Sequence, residues 1–350
     1  MQDDLFGTPP APQAPPASPK PRKAAAVQAA EVPQSLHALG RSLPVRLRMG
    51  VSTWSYPGWE GLVWDGAYDA SVLSRKGLMA MSQHPLMRTV CVDRTFWRPL
   101  SVEQYAQMAA QVPEDFQFVV KCPNVVTDAL VRSEEGKGQQ RNPGFLNAAL
   151  AVDQFVQPAL QGLGRKLGVL VYQLSPLPWE LLAQPGTVFA QLAAVLAATR
   201  QALQQAPDVI VAVEVRDPLL QTDALVQVLQ THAATMCLGL HGKMPPIEQQ
   251  LPTLRKLWPT PLVCRWNLNT IFGPFGYASA QDKHQPFDAI RSPDPHTRSI
   301  LARTIVGITG AGQKAFVTIS NDAEGCAPRS IALLAEEMQQ IQALRNDGDT

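Results

Sequence analysis

Charge is scarce in this chain. Asp, Glu, Lys and Arg make up 17 % of its 350 residues, and the formal net charge is +1. A balance this even leaves no footprint for bulk attraction to nucleic acid or to an anionic membrane, although a local basic groove stays open. Cysteine is sparse too. Cys91, Cys122, Cys237, Cys264 and Cys326 are scattered, with no CxxC pair. That excludes a disulfide framework and points to a reducing compartment. No unbroken apolar run reaches membrane-spanning length. Residues 1–6 carry Asp3 and Asp4 and run into prolines, so they lack the apolar core of a signal peptide. The expectation is a soluble, cytoplasmic protein. The glycine fingerprint of a dinucleotide fold is also missing, and the sequence names no cofactor.

What is abundant is proline, and it is unevenly placed. Pro9, Pro10, Pro12, Pro15, Pro16, Pro19 and Pro21 alternate with Ala, Ser and Lys. Such a segment buries too little apolar surface to offset its ordering entropy, so residues 1–44 read as a disordered Pro/Ala-rich tail. The folded domain is expected over 45–345. Eight short apolar runs there read as strands, at 45–53, 88–95, 116–121, 167–174, 208–215, 235–240, 261–266 and 315–320. Runs such as VLVYQL and VIVAVEV are apolar at nearly every position, which suits strands buried on both faces. Helical patterns lie between them at 102–112, 145–163, 188–206, 222–233 and 297–309, and one follows at 328–342. This alternation implies parallel βαβ units and a closed TIM-type (β/α) barrel of seven or eight strands. An open doubly wound sheet is the alternative. Two connections are long, 122–145 and 267–296. The second holds Phe272, Phe275 and Tyr277 among Gly and Pro, and is expected to cover the barrel mouth.

In an α/β barrel the C-terminal strand ends carry the site. Here strand one closes with Ser52, Thr53, Trp54, Ser55 and Tyr56, then Trp59. Strand two closes with Asp93, Arg94, Thr95, Phe96 and Trp97. Lys121 and Gln173 end strands three and four, and Glu214 and Arg216 end the fifth. His241 follows the sixth, Arg265, Asn267 and Asn269 the seventh, and Asn321 and Asp322 the eighth. Blander readings exist for each. Lys121 and Glu214 would make a structural ion pair, Trp54 to Trp59 would plug the barrel, and His241 would sit on a surface loop. A whole ring of buried charge is better explained by a ligand than by stability.

At these residues the sequence resembles the YecE-like family, known as domain of unknown function 72. The matching segments are GVSTWSYPGW, TFWRP, FQFVVKCP, KLGVLVYQLSP, VAVEVRDP, VCRW and ISNDAEGCAP, in that order. The resemblance implies a barrel of the triosephosphate isomerase type. It also implies that Trp54, Ser55, Tyr56, Thr95, Phe96, Lys121, Gln173, Glu214, Arg216, Arg265 and Asn321 line the mouth. It supplies no reaction. The chain departs from the family pattern before TFW, where the usual Glu-x-Asn is Cys91, Val92, Asp93. It departs again after strand seven, where Arg-Leu-His-Gly becomes Arg265, Trp266, Asn267, Leu268.

The leading expectation is a barrel enzyme or ligand-binding protein for a small polar or anionic substrate. Lys121, Arg216 and Arg265 would clamp phosphate or carboxylate oxygens. Glu214 or Asp93 would be the general base, its pKa raised by aromatic surroundings. Trp54, Tyr56 and Trp97 would stack on a ring. A metal-dependent hydrolase is the rival, with Asp93, Glu214, His241 and Asp322 as the ligands available. They have no spacing signature. A different class is a non-catalytic or repair-associated protein. Gln2, Leu5 and Phe6 resemble the Gln-x-x-Leu-Phe peptide that holds the bacterial sliding clamp, tethered by the Pro-rich tail. Aromatics interleaved with Lys121, Arg216 and Arg265 would then suit a single nucleic acid strand.

Overall fold

The structure is a computed structural model that describes residues 26–133 and 138–348. Eight parallel strands close into a barrel. They are β1 Leu47–Val51, β2 Thr89–Val92, β3 Gln117–Lys121, β4 Leu167–Gln173, β5 Ile210–Glu214, β6 Thr235–Leu240, β7 Leu262–Trp266 and β8 Ala315–Ile319. Each pairs with its sequence neighbour, and β8 returns to β1 with Leu47 opposite Ala315 and Val51 opposite Ile319. All eight expected strands form, seven of them slightly shorter than their apolar runs and the sixth with the same bounds. The open sheet is excluded by the β1–β8 pairing. One glycine is required for closure, because a Cβ on Gly50 would lie 1.7 Å from the Thr89 carbonyl oxygen on β2.

Side chains of period two fill the barrel. Cys91, Val119, Val169, Val171, Ile210, Ala212, Cys237, Val263 and Phe316 form an interior cluster separate from the larger core between strands and helices. The same alternation points the next inward position of each strand toward the mouth. That layer is polar, and it holds Asp93, Lys121, Gln173, Glu214 and Arg265.

The helices expected from periodicity are present. Among them are Val102–Ala109, Pro185–Ala202, Asp223–Thr231, Pro295–Gly310 and Ala327–Gly348. Four features were not legible in that pattern. Helices form at Ala70–Met81 and Ile247–Lys256, and a short antiparallel hairpin pairs Leu130–Arg132 with Gly138–Arg141. The fourth is α1, Gln34–Ser42, inside the expected tail. The tail boundary at 44 is therefore corrected. Ala29 bridges Trp64, the Ala30 amide donates to the Val63 carbonyl at 3.0 Å, and α1 packs on the helix Ala327–Gly348. Val27, Leu39 and Leu43 are buried. Averaged composition hides so few apolar residues among Pro and Ala, yet they suffice to dock the segment. Residues 1–25 lie outside the described residues, and with them Gln2, Leu5 and Phe6. Among the described residues no helix is long and apolar enough to cross a membrane.

Docking of this segment has a measurable consequence. Leu39→Ala and Leu43→Ala are each expected to cost about 2–5 kcal/mol in urea unfolding, the range for emptying a buried leucine site. Unchanged midpoints would restore the domain boundary at residue 45.

Candidate functional site

Glu214 closes β5 and points inward, fully buried. Burial of a lone carboxylate is costly, and two guanidinium groups offset it. Arg265 on β7 donates from Nη1 to Glu214 Oε2 at 2.7 Å, and Arg216 reaches Oε1 from Nη2 at 2.6 Å. Arg216 is two residues beyond Glu214 and so returns to the same side of the chain. Gln173, opposite Glu214 in the β4–β5 register, ties both arginines. Its Oε1 accepts from Arg216 at 2.9 Å and from Arg265 at 3.1 Å. Arg265 also donates to Asp93 Oδ1 at 2.5 Å, and Asn267 donates to Glu214 Oε1 at 3.4 Å. Space for the carboxylate comes from β6, where a Cβ on Gly239 would sit 3.0 Å from Glu214 Oε1.

The electrostatics follow from this network. Burial pushes the Glu214 carboxyl up, but Arg216 and Arg265 overcome it and hold it at about 2. The expected base is therefore corrected: Glu214 stays ionised, lies beneath the cavity rather than on it, and fixes two arginines. The alternative ion pair of Glu214 with Lys121 does not form either, because the arginines occupy both carboxylate oxygens. Lys121 instead lies 3.7 Å from the centroid of the Phe96 ring. Burial, with Arg265 and Arg216 adding repulsion and Asp93 opposing, lowers its ammonium to about 8. Asp322 moves the other way. Burial raises it to about 6, against hydrogen bonds from Ser320 and Gln281.

These groups surround a cavity of about 410 Å³ at the barrel mouth. Of the expected site residues, Tyr56, Asp93, Phe96, Lys121, Gln173, Arg216 and Arg265 line it. Trp54, Ser55, Thr95, Glu214 and Asn321 do not. Trp54 is buried under the Arg94 guanidinium, 5.3 Å from its ring. Ser55 is half-buried off the cavity. Thr95 turns its hydroxyl to the Val92 and Lys121 carbonyls, at 2.5 and 2.6 Å, and pins the β2 loop to β3. Asn321 Oδ1 accepts from Trp59 Nε1 at 3.2 Å and from the Ala327 amide at 2.8 Å, so it clasps β8 to its neighbours.

The sequence reading placed Tyr277 over the mouth without assigning it to the cavity, and missed Gln281 altogether; both line it. They lie four apart on the helix Tyr277–His284, which the long connection lays over the mouth. Four-residue spacing was the available signal, but Gly and Pro around it read as loop. His241 is not a surface residue as the blander reading had it. It is buried, its ring 5.2 Å from Tyr277, and burial with Arg216 nearby lowers its imidazole to about 3. As metal ligands, Asp93, Glu214, His241 and Asp322 do not converge. Among the described residues no three His, Cys, Asp or Glu side chains come together, and the first two carboxylates are taken by Arg265.

The Glu214→Gln variant removes the negative centre and leaves two buried guanidinium groups underneutralised. The expected loss is about 3–5 kcal/mol, the range for breaking a buried pair. The folded pKa is depressed, so this stability is fully present above the ordinary glutamate value of about 4.3 and fades as pH falls through about 2. Denaturant unfolding of both proteins between neutral and acid pH measures it. A constant difference down to the lowest pH would contradict the assignment.

Comparisons with known proteins give the same architecture. The sequence profile of the family described as a protein of unknown function, DUF72, matches residues 48–349. A DUF72 family protein from Enterococcus faecalis V583 superposes with a TM-score of 0.54 at 15 % identity, covering 84 % of this chain and 94 % of its own. One from Thermotoga maritima MSB8 gives 0.48 at 17 % identity, covering 85 % and 99 %. No curated protein matches the chain. At such identity the Enterococcus structure speaks for the fold alone, while the profile covers all but the first residue of the barrel strands and every residue of the cavity: the chain belongs to the DUF72 family.

Proposed function

We propose that the mouth of this barrel binds a small anionic ligand, a phosphate or carboxylate, and acts on it with acid–base chemistry. One observation carries the proposal. The Lys121 ammonium is buried on the cavity wall, and among the described residues no carboxylate lies within ion-pair distance of it. Every other charge in the network is spoken for. Three cations, Lys121, Arg216 and Arg265, meet two carboxylates in the network, Glu214 and Asp93, and the third carboxyl on the cavity, Asp322, is raised to about 6, so the wall carries one positive charge in excess until Asp322 ionises. A buried cation without a counter-ion is costly, and an anionic ligand supplies what is missing. The Nε–H groups of Arg216 and Arg265 are buried without partners as well.

The roles divide by environment. Glu214 and Gln173 position the two arginines. Arg216 offers the ligand a planar donor fork. Lys121 and Asp322 are the acid–base pair, because burial has brought an amine down to about 8 and a carboxyl up to about 6. Groups tuned toward neutrality are the ones that exchange protons with a substrate at physiological pH. Asp93 is engaged by Arg265 and takes a positioning role in place of the expected base.

Two measurements test this reading. Phosphate binding, followed by calorimetry, should be lost in Lys121→Met with the thermal midpoint maintained or raised, since an unpaired buried charge is removed. Affinity should also fall with pH in two steps. Ionisation of Asp322 near 6 adds repulsion, and deprotonation of Lys121 near 8 removes attraction. The first step should vanish in Asp322→Asn and the second in any residual binding of Lys121→Met. Phosphate binding by Lys121→Met equal to that of the unaltered protein would refute the anion site.

A further inference from the structure

The cavity has a neighbour. A second one, of about 380 Å³, adjoins it and shares the wall formed by Lys121, Gln173, Arg216 and Tyr277. The two cations therefore face both lobes from the divide between them. Each lobe also carries a large aromatic ring open to water. Trp97 is 75 % exposed on the first, and Phe275 is 84 % exposed on the second. Rings this exposed, flanking a cavity, mark a contact surface rather than core packing. Both are held in place. Phe96 packs edge-on against Trp97 with centroids 5.1 Å apart, and the Lys243 ammonium lies 4.6 Å from the centroid of Phe275.

We propose that the mouth binds a phosphate bracketed by two flat ring systems. That is the chemistry of a dinucleotide, whether free or as a segment of a single nucleic acid strand. The inference rests on the anion site above and extends it to either side. The phosphate lies against Lys121 and Arg216, one base on Trp97 and the other on Phe275. Stacking on an aromatic side chain suits any base, because every base has a π-face. The net charge of +1 leaves no basic track for a long polyanion, so recognition is confined to a short unit. A ligand with one ring, such as a phosphotyrosine peptide, fills a single lobe.

The experiment is a set of calorimetric titrations of the full chain. The probes are inorganic phosphate, thymidine monophosphate, the dinucleoside monophosphate thymidylyl-thymidine, a phosphotyrosine peptide, and an oligothymidylate of about ten residues. Thymidylyl-thymidine is expected to bind about tenfold or more tightly than thymidine monophosphate, and Trp97→Ala and Phe275→Ala should each remove about tenfold of that affinity. Both substitutions should leave phosphate binding unchanged. Oligothymidylate binding as tightly as the dinucleoside assigns a strand, and its failure to bind assigns a free dinucleotide. The inference is overturned if thymidylyl-thymidine binds no tighter than phosphate or the phosphotyrosine peptide, or if both variants bind it like the unaltered protein. Phosphate binding that persists in that case, and is lost in Lys121→Met, keeps the anion site and removes only this extension. Trp97 and Phe275 are surface side chains, and an unchanged thermal midpoint confirms that each variant is folded.

Discussion

The mouth of the barrel is organised by one buried carboxylate. Glu214 has no access to water, and its charge is tolerated because Arg216 and Arg265 reach its two oxygens. Remove that anion and neither arginine has a reason to lie where it does. With it, Arg265 is aimed at Asp93, Arg216 at the cavity, and Gln173 is drawn between them. Gly239 belongs to the same arrangement, since a side chain there would press on Glu214. Such a network contributes little net stability against an apolar core of equal volume. What it supplies is direction: two guanidinium groups held at fixed angles on rigid strands.

The departures from the family pattern take on a physical meaning in this frame. The resemblance places Glu at 91 and Asn at 93, where this chain has Cys91 and Asp93. Both positions face the barrel interior, so the number of carboxylates is unchanged while the charge moves two residues up β2, toward the mouth. Cys91 now lies among apolar interior side chains, its Sγ 3.3 Å from Asp93 Oδ1, and Asp93 holds Arg265 from the rim side. At position 267 the usual histidine is Asn267, which donates to Glu214 and to the Arg265 carbonyl. The changes at 91 and 93 thus keep the number of carboxylates in the network and alter where its negative charge is exposed.

The fold was legible because it depends on patterns that one sequence carries. Eight continuous apolar runs alternating with helical spacing allow few architectures, and strand parity then says which end residues point inward. Parity alone separates Glu214 and Arg216 from Val215, and Arg265 and Asn267 from Trp266. Pairing was not legible. Nothing in the text says that Glu214 meets Arg265 rather than Lys121, because both candidates come from other strands, far from it in sequence. Asn321, Thr95 and Trp54 illustrate the same limit. They stand at strand ends, as a site residue should, yet their polar atoms or rings are engaged in holding loops. The helix carrying Tyr277 and Gln281 was hidden for a different reason: a short helix within a Gly- and Pro-rich connection is stabilised by its docking, not by its own propensity.

The division between floor and rim bears on what such a site can do. The floor is built from strand residues whose directions are fixed by the barrel, and it presents charge. The rim is built from loops after β2 and β7, and it presents Trp97, Tyr277 and Phe275. On the proposed reading, charge on the floor selects for an anionic group regardless of what is attached to it, since a guanidinium fork recognises oxygens and not their substituents. Discrimination among ligands therefore falls to the rim, where loops vary at little cost to the barrel. Rim loops can change without disturbing the strands that hold the arginines, so on the proposed reading the barrel need not be rebuilt to change specificity.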